Sequence, residues 1–358
     1  MKYIWTKYNL MDQIDLLERL KKGKSNQERA EINRNIRSIE DFIQELEVLG
    51  EFASTKECLE SNSIYLKTHS FLVEDINSAK YNETFLFPFE LKENKEKFSK
   101  DAILSMTHDF YKSFDKEFFK IFNEIFKERY TNVTFGNMAD DIVEACTFGI
   151  PYFNKVYMKI RQSEGLVPIY SSIHEYAHAI AFTMNHFNLM SDKKLFLEES
   201  YSLFFELLLT DFLAKKQKLN HVYDYAYSIF GDNISLAYDA NEMINLAKLF
   251  DEIGCKKNKI FKREALKRFN YDSEYIDFIN SNILKYTIPN LFGYLVAIEL
   301  YELYKFDREK AIYVLKKLMM LNNLTELEYY KEMKKLGIHP NSHVSDYVSD
   351  LQDKLERK

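Results

Sequence analysis

Glycine and proline are scarce in this chain, nine and five among 358 residues. An all-β fold needs a turn signal roughly every 8–12 residues, so that architecture is excluded and long helices joined by short loops are expected. Cysteine is nearly absent. Cys58, Cys146 and Cys255 are far apart and form no CxxC pair, which excludes a disulfide framework or a cysteine-rich zinc site and fits a reducing cytoplasm. Long apolar runs are missing too. The longest, around residues 203–213, carries Glu206 and Asp211 and is too short to span a bilayer. Residues 1–20 contain Lys2, Lys7, Asp12, Asp15 and Glu18, so no signal-peptide core is expected there. Nor is there a basic excess. The net charge of −6 provides no footprint for nucleic acid, and Lys21, Lys22 and Lys24 read as a solvated helix face.

What is present is an ordinary globular composition, 46% hydrophobic and 29% charged, in a chain long enough to bury a large core. Residues 9–22 and 26–48 carry apolar positions at helical spacing: Leu10, Ile14, Leu17 and Leu20, then Ile39, Ile43 and Leu46. Residues 84–91 read as extended or irregular around Pro88. Residues 101–129 read as helix, with Phe114, Phe118, Phe119, Phe122 and Phe126 forming an aromatic, core-facing stripe. Residues 155–161 (KVYMKIR) alternate strictly, the one clear strand signature, with Val156, Met158 and Ile160 on the buried side. Gly165 and Pro168 then open a helix over about 168–188, and a second follows at about 193–215. A helical N-terminal lobe at 1–135 and a metal-binding lobe at 136–358 are expected, within one continuous body.

Residues 174–178 read HEYAH. Two His four apart on a helix differ by about 40° around the axis, so both imidazoles reach one ion. Glu175 is turned by about 100° from His174 and meets a water activated at that ion rather than the ion itself. With eight His and thirty-four Glu in the chain, composition alone yields such a match roughly 2% of the time. Catalytic zinc takes three protein ligands and keeps one open position. His186 is turned about 80° away from His178 and reads as a surface residue at a helix end. The next helix, LEESYSLFFELLL, supplies Glu199 and Glu206, seven apart and within about 20° of one face. Carboxylates on so apolar a helix need partners, and a zinc ion and the N–H of a ligating His supply both. Glu198 lies about 100° from that face.

HEYAH followed by E-x-x-S-x-x-x-E (Glu199, Ser202, Glu206) resembles the thimet oligopeptidase and oligopeptidase F family. The resemblance implies a mainly α, zincin-like helical peptidase body with a small β-sheet beside the active-site helix. It makes Glu199 the third zinc ligand, beside His174 and His178, and Glu206 a supporting carboxylate. Residues 285–301, KYTIPNLFGYLVAIELY, look like the family's Tyr-rich segment. From it Tyr294 carries over as the oxyanion-stabilising group, with Tyr286 and Tyr301 as further substrate-binding candidates. The family's His is replaced by Asn290 or lies out of register, and Ala177 stands where the family has Gly. An edge strand lining the cleft is implied at residues 155–161, with Tyr157 toward the substrate.

The activity this implies is hydrolysis of short peptides, one Zn2+ per chain, with Glu175 as general base. Two other readings stay open. One is a carboxypeptidase resembling the Taq carboxypeptidase family, for which Arg161 is a candidate carboxylate-binding group. The other is a non-catalytic helical metal-binding protein.

Overall fold

A computed structural model describes most of residues 11–37 and residue 40, then 55–78, 91–136, 145–150, 155–185, 195–253, 258–271, 276, 284–340 and 343–357. Helices α1 (Thr55–Thr68) and α2 (Ser70–Ser78) precede α3 (Lys100–Phe114), α4 (Lys116–Phe126) and the short α5 (Arg129–Asn132). Strands β1 (Val133–Gly136), β2 (Ala145–Ile150) and β3 (Lys155–Arg161) follow. The rest is helical: α6 (Val167–Met184), α7 (Leu195–Phe212), α8 (Val222–Ile253), α9 (Asn258–Phe269), α10 (Leu284–Phe306), α11 (Arg308–Met320), α12 (Glu326–Lys335) and α13 (Val344–Glu356).

The single helix expected over 101–129 is divided in two. Asp115 takes an extended backbone, φ −153° and ψ 146°, and its carboxylate accepts from the backbone N–H groups of Glu117 and Phe118. An Asp side chain that satisfies the next helix's first amides competes with continuing the previous one. The Phe stripe survives the break, with Phe114, Phe118, Phe122 and Phe126 all buried. Most of residues 84–91 and the continuation of the 26–48 segment past residue 40 lie outside the described residues.

The strand at 155–161 has the expected bounds and alternation, with Val156, Met158 and Ile160 buried. Its place in the sheet is not the expected one. The order is β1-β3-β2, with β1 parallel and β2 antiparallel to β3. Both hydrogen-bonding edges of β3 are therefore used, and it cannot act as an edge strand. Tyr157 points to the sheet's other face and packs on a small cluster of Leu17, Ile32 and Ile36 from the N-terminal helical segment.

Helix α6 is buried on nearly every side, from Pro168 in its first turn to Phe182, as expected of a central helix. The turn before it requires Gly165, which sits at φ +80°, where a Cβ would lie 2.6 Å from the carbonyl oxygen of Asn94. Helix α7 packs between α6 and α10. One hydrophobic core runs from Leu59 to Leu355 and includes Phe126, Val133 and Ala145, on both sides of residue 135. Among the described residues no helix is long and apolar enough to cross a membrane.

Candidate metal centre

The motif helix α6 and the neighbouring α7 face each other with their polar residues inward. His174 and His178 come from α6, one turn apart, and their Nε2 atoms are 3.0 Å apart. Glu199 on α7 brings Oε2 to 3.6 Å from His174 Nε2. Donor atoms of these three residues all lie within 4.8 Å of one another. Tetrahedral ligands about 2.1 Å from one ion stand about 3.4 Å apart, so the triad fits a divalent cation with little adjustment.

Glu206, two turns along α7 from Glu199, takes the other side of His174. Its Oε1 accepts from His174 Nδ1 at 2.6 Å. That bond keeps a proton on Nδ1 and points Nε2 toward His178 and Glu199, the arrangement a ligating imidazole needs once Nε2 gives up its own proton to a cation. Ser202, between the two glutamates, spends its hydroxyl on the carbonyl of Glu199 at 2.9 Å. Glu198 is buried, its charge felt by Tyr201 and Tyr329, and it stands outside the triad.

Charge in the site follows from burial and these pairings. Burial opposes a charge on His174, but the Glu206 hydrogen bond and the carboxylates of Glu206, Glu175 and Glu199 outweigh it and hold the ring up at about 10. Burial and the neighbouring His174 push His178 well below its ordinary value. His178 Nδ1 is buried with no hydrogen-bond partner among the described residues. Glu175 is buried beside the triad. Loss of hydration raises it to about 7, partly offset by His174 and by a hydrogen bond from Thr147. The Thr147 hydroxyl also lies 3.0 Å from the Glu175 carbonyl, so strand β2 runs directly alongside the motif.

The tyrosines are placed differently from the pattern carried over by resemblance. Tyr294 is 1% exposed and its hydroxyl is buried, so it has no surface to offer a peptide. It lines a narrow cavity behind Glu206, together with Tyr170, Thr210 and Tyr347. Tyr301 is held in an ionic cluster, donating to Asp211 at 3.3 Å beside Lys354. Tyr157 lies on the far face of the sheet, while the Tyr286 side chain and all of His186 are outside the described residues. Arg161 ends β3, opposite Gly136. Thr147 and Tyr347 carried no sequence signal because they reach the site from other elements, and Tyr170 and Thr210, one turn from His174 and Glu206 on the motif helices, occupy no motif position.

The fold is similar to that of several solved proteins. Its solved neighbours include a Chlamydophila abortus protein assigned as a peptidase, at TM-score 0.55 and 13% identity over 83% of this chain and 55% of that one. A Bacillus anthracis protein assigned as an oligoendopeptidase F matches at TM-score 0.52 and 13% identity, over 93% of this chain and 65% of that one. PZ peptidase A, solved with an inhibitor, matches at TM-score 0.51 and 11% identity over 98% of this chain and 71% of that one. The chain thus spans a little over half to two thirds of the length of the first two. No family model matches the sequence, and no curated protein matches it.

Proposed function

We propose that this protein is a zinc-dependent peptidase acting on short peptides. The observation that carries the reading is the convergence of His174, His178 and Glu199, with Glu206 on the far nitrogen of His174. The peptidase fold of the structural neighbours supports it. Zinc held by these three residues supplies a Lewis acid that polarises a scissile carbonyl and acidifies water. Glu175, buried and poised at about 7, takes the proton of the attacking water and passes it to the leaving amine. Glu206 holds the Nδ1 proton of His174, which leaves Nε2 as the atom that would give up its proton and ligate zinc.

The substrate is held by a sheet edge, and β2 takes the role expected of β3. It pairs with β3 on one side and, among the described residues, with no strand on the other. Its Thr147 touches the backbone of Glu175, so a peptide added along β2 lies next to the general base. Peptides are the partner in this reading, with neither nucleic acid nor membrane, and the cytoplasm is the compartment proposed, a reducing one that three scattered cysteines fit.

The test is turnover of a mixed peptide library by the parent and by Glu175→Gln. Cleavage by the parent, with a loss of about 10²-fold or more in the zinc-replete variant, is expected. Equal turnover removes Glu175 from the chemistry. Comparing free with C-terminally amidated peptides in the same assay decides between endopeptidase and carboxypeptidase action.

A further inference from the structure

Glu206 is the hinge of a second layer of the site, and that layer reaches a distant part of the chain. Its Oε1 is committed to His174 Nδ1. Behind it lies the cavity walled by Tyr170, Thr210, Tyr294 and Tyr347, with Leu207, Ala226 and Ile229 closing the apolar side. Tyr170 and Thr210 satisfy each other at 2.8 Å, and the Thr210 hydroxyl also lies 3.2 Å from the Glu206 carbonyl. Tyr347 interacts with the hydroxyl of Tyr294 and feels the charge of Glu206. It is buried, and its ring packs edge-on against Tyr301 and Phe230. It is the sole contribution of helix α13 to the cavity wall.

Helix α13 is held in that position by its own anchors. His343, just before it, donates its backbone N–H and its ring to the buried Glu299 of α10, at 3.0 and 2.8 Å. Lys354, near its end, pairs with Asp211 of α7 at 3.2 Å. Tyr347 thus lies on a helix that packs on α8 and α10 and is tied by Lys354 to α7, the helix that carries Glu206.

We propose that Tyr347 is a positioning residue for the metal centre: with Tyr294 it walls the cavity behind Glu206 and holds that carboxylate in the rotamer that accepts from His174 Nδ1. Helix α13 is then part of the metal-binding apparatus. A carboxylate largely shielded from solvent, as Glu206 is at 14% exposure, with one oxygen on an imidazole keeps a single rotamer only where polar groups lie near the other oxygen. The tyrosine hydroxyls are the polar groups the cavity offers. This inference rests on the metal reading above.

The experiment is a double-substitution cycle read by zinc affinity in a chelator competition, together with the visible spectrum of the Co2+-substituted protein. Glu206→Gln should weaken zinc binding by about 10- to 100-fold, as loss of a group orienting a ligand does. Tyr347→Phe keeps the ring and removes the hydroxyl. Acting one step further out, it should weaken binding by about 3- to 10-fold and shift the Co2+ bands. In the Glu206→Gln background Tyr347→Phe should have no further effect. An equal loss in both backgrounds, or no loss in either, overturns the proposal. Thermal unfolding of the metal-free proteins separates a purely structural role, which lowers the midpoint and leaves the Co2+ spectrum unchanged. If the parent binds no zinc, or His174→Ala binds it as tightly as the parent, the metal reading itself has failed, a result distinct from failure of the Tyr347 assignment.

Discussion

Replacing Gly293 by Ala should loosen the metal site while leaving the fold in place. Gly293 lies on α10 where it presses on α7. A Cβ built there stands 3.0 Å from Glu199 Cβ, 3.0 Å from the Phe196 carbonyl oxygen and 3.2 Å from Ser200 N. Ordinary carbon contacts are about 3.5–4.0 Å, so the two helices must part by about 0.5 Å. The obstructing atoms are backbone or Cβ, so no side-chain rotation relieves them. Overpacking of this kind costs about 1–3 kcal/mol, and the better helix propensity of Ala returns about 1 kcal/mol. The net loss is then about 0–2 kcal/mol, a fall of a few degrees in the unfolding midpoint. The effect on the site is larger in proportion, because the atom displaced is the Cβ of Glu199, and metal constellations tolerate only about 0.5 Å of error. Zinc affinity should fall about 10-fold, equivalent to about 1.4 kcal/mol. The assay is competition against a chromophoric chelator, with Gly136→Ala as the control, since a Cβ at Gly136 meets nothing within 4 Å. Parent-like zinc affinity in Gly293→Ala, or equal losses in both variants, would refute the reasoning.

Two further outcomes are expected. If β2 is the template for the peptide, a scan of singly N-methylated peptides against zinc-loaded Glu175→Gln should show losses of about 1–3 kcal/mol near the cleaved bond; uniform affinity along the scan excludes backbone pairing. The second concerns acid stability at Asp211. Burial raises its pKa, but Lys354 and Lys215 outweigh burial and hold it below the ordinary carboxylate value. A carboxyl depressed in the folded state stabilises it above the unfolded pKa, about 3.9, and that stability is lost as pH falls through the folded value. Asp211→Asn should therefore unfold at a lower temperature than the parent at neutral pH, with the gap closing below about pH 4. A gap that is constant or widens in acid contradicts this.

How much of this was legible in the sequence depends on the range of the interactions. HEYAH and the alternation of KVYMKIR are local patterns, and both sit on the elements they implied. The pairing of Glu199 and Glu206 on one face followed from helical spacing alone. Spacing left open which of them joins the His pair; the resemblance implied Glu199, and the packing of α7 on α6 puts Glu199 3.6 Å from His174 Nε2 and Glu206 2.6 Å from Nδ1. Strands β1 and β2 left little trace, being short, with Gly136 at the end of one and Gly149 inside the other. The role of β3 was misread for the same reason, since its two partners went unseen. In the sequence Asp115 reads as a helical residue, because composition does not separate a polar residue within a helix from one that caps the next. Tyr347 stands far along the chain from Glu206, and only the docking of α13 shows that the two line one cavity.

The central claim is that His174, His178 and Glu199 hold one zinc ion. Elemental analysis of protein purified without chelator tests it most directly, on the parent beside His174→Ala, His178→Ala and Glu199→Gln. The parent should carry about one zinc per chain. The two His variants should carry almost none, and Glu199→Gln should lose its metal to a chelator concentration that leaves the parent loaded. A metal-free parent after incubation with zinc, or a His174→Ala protein that holds zinc as tightly as the parent, would contradict the account.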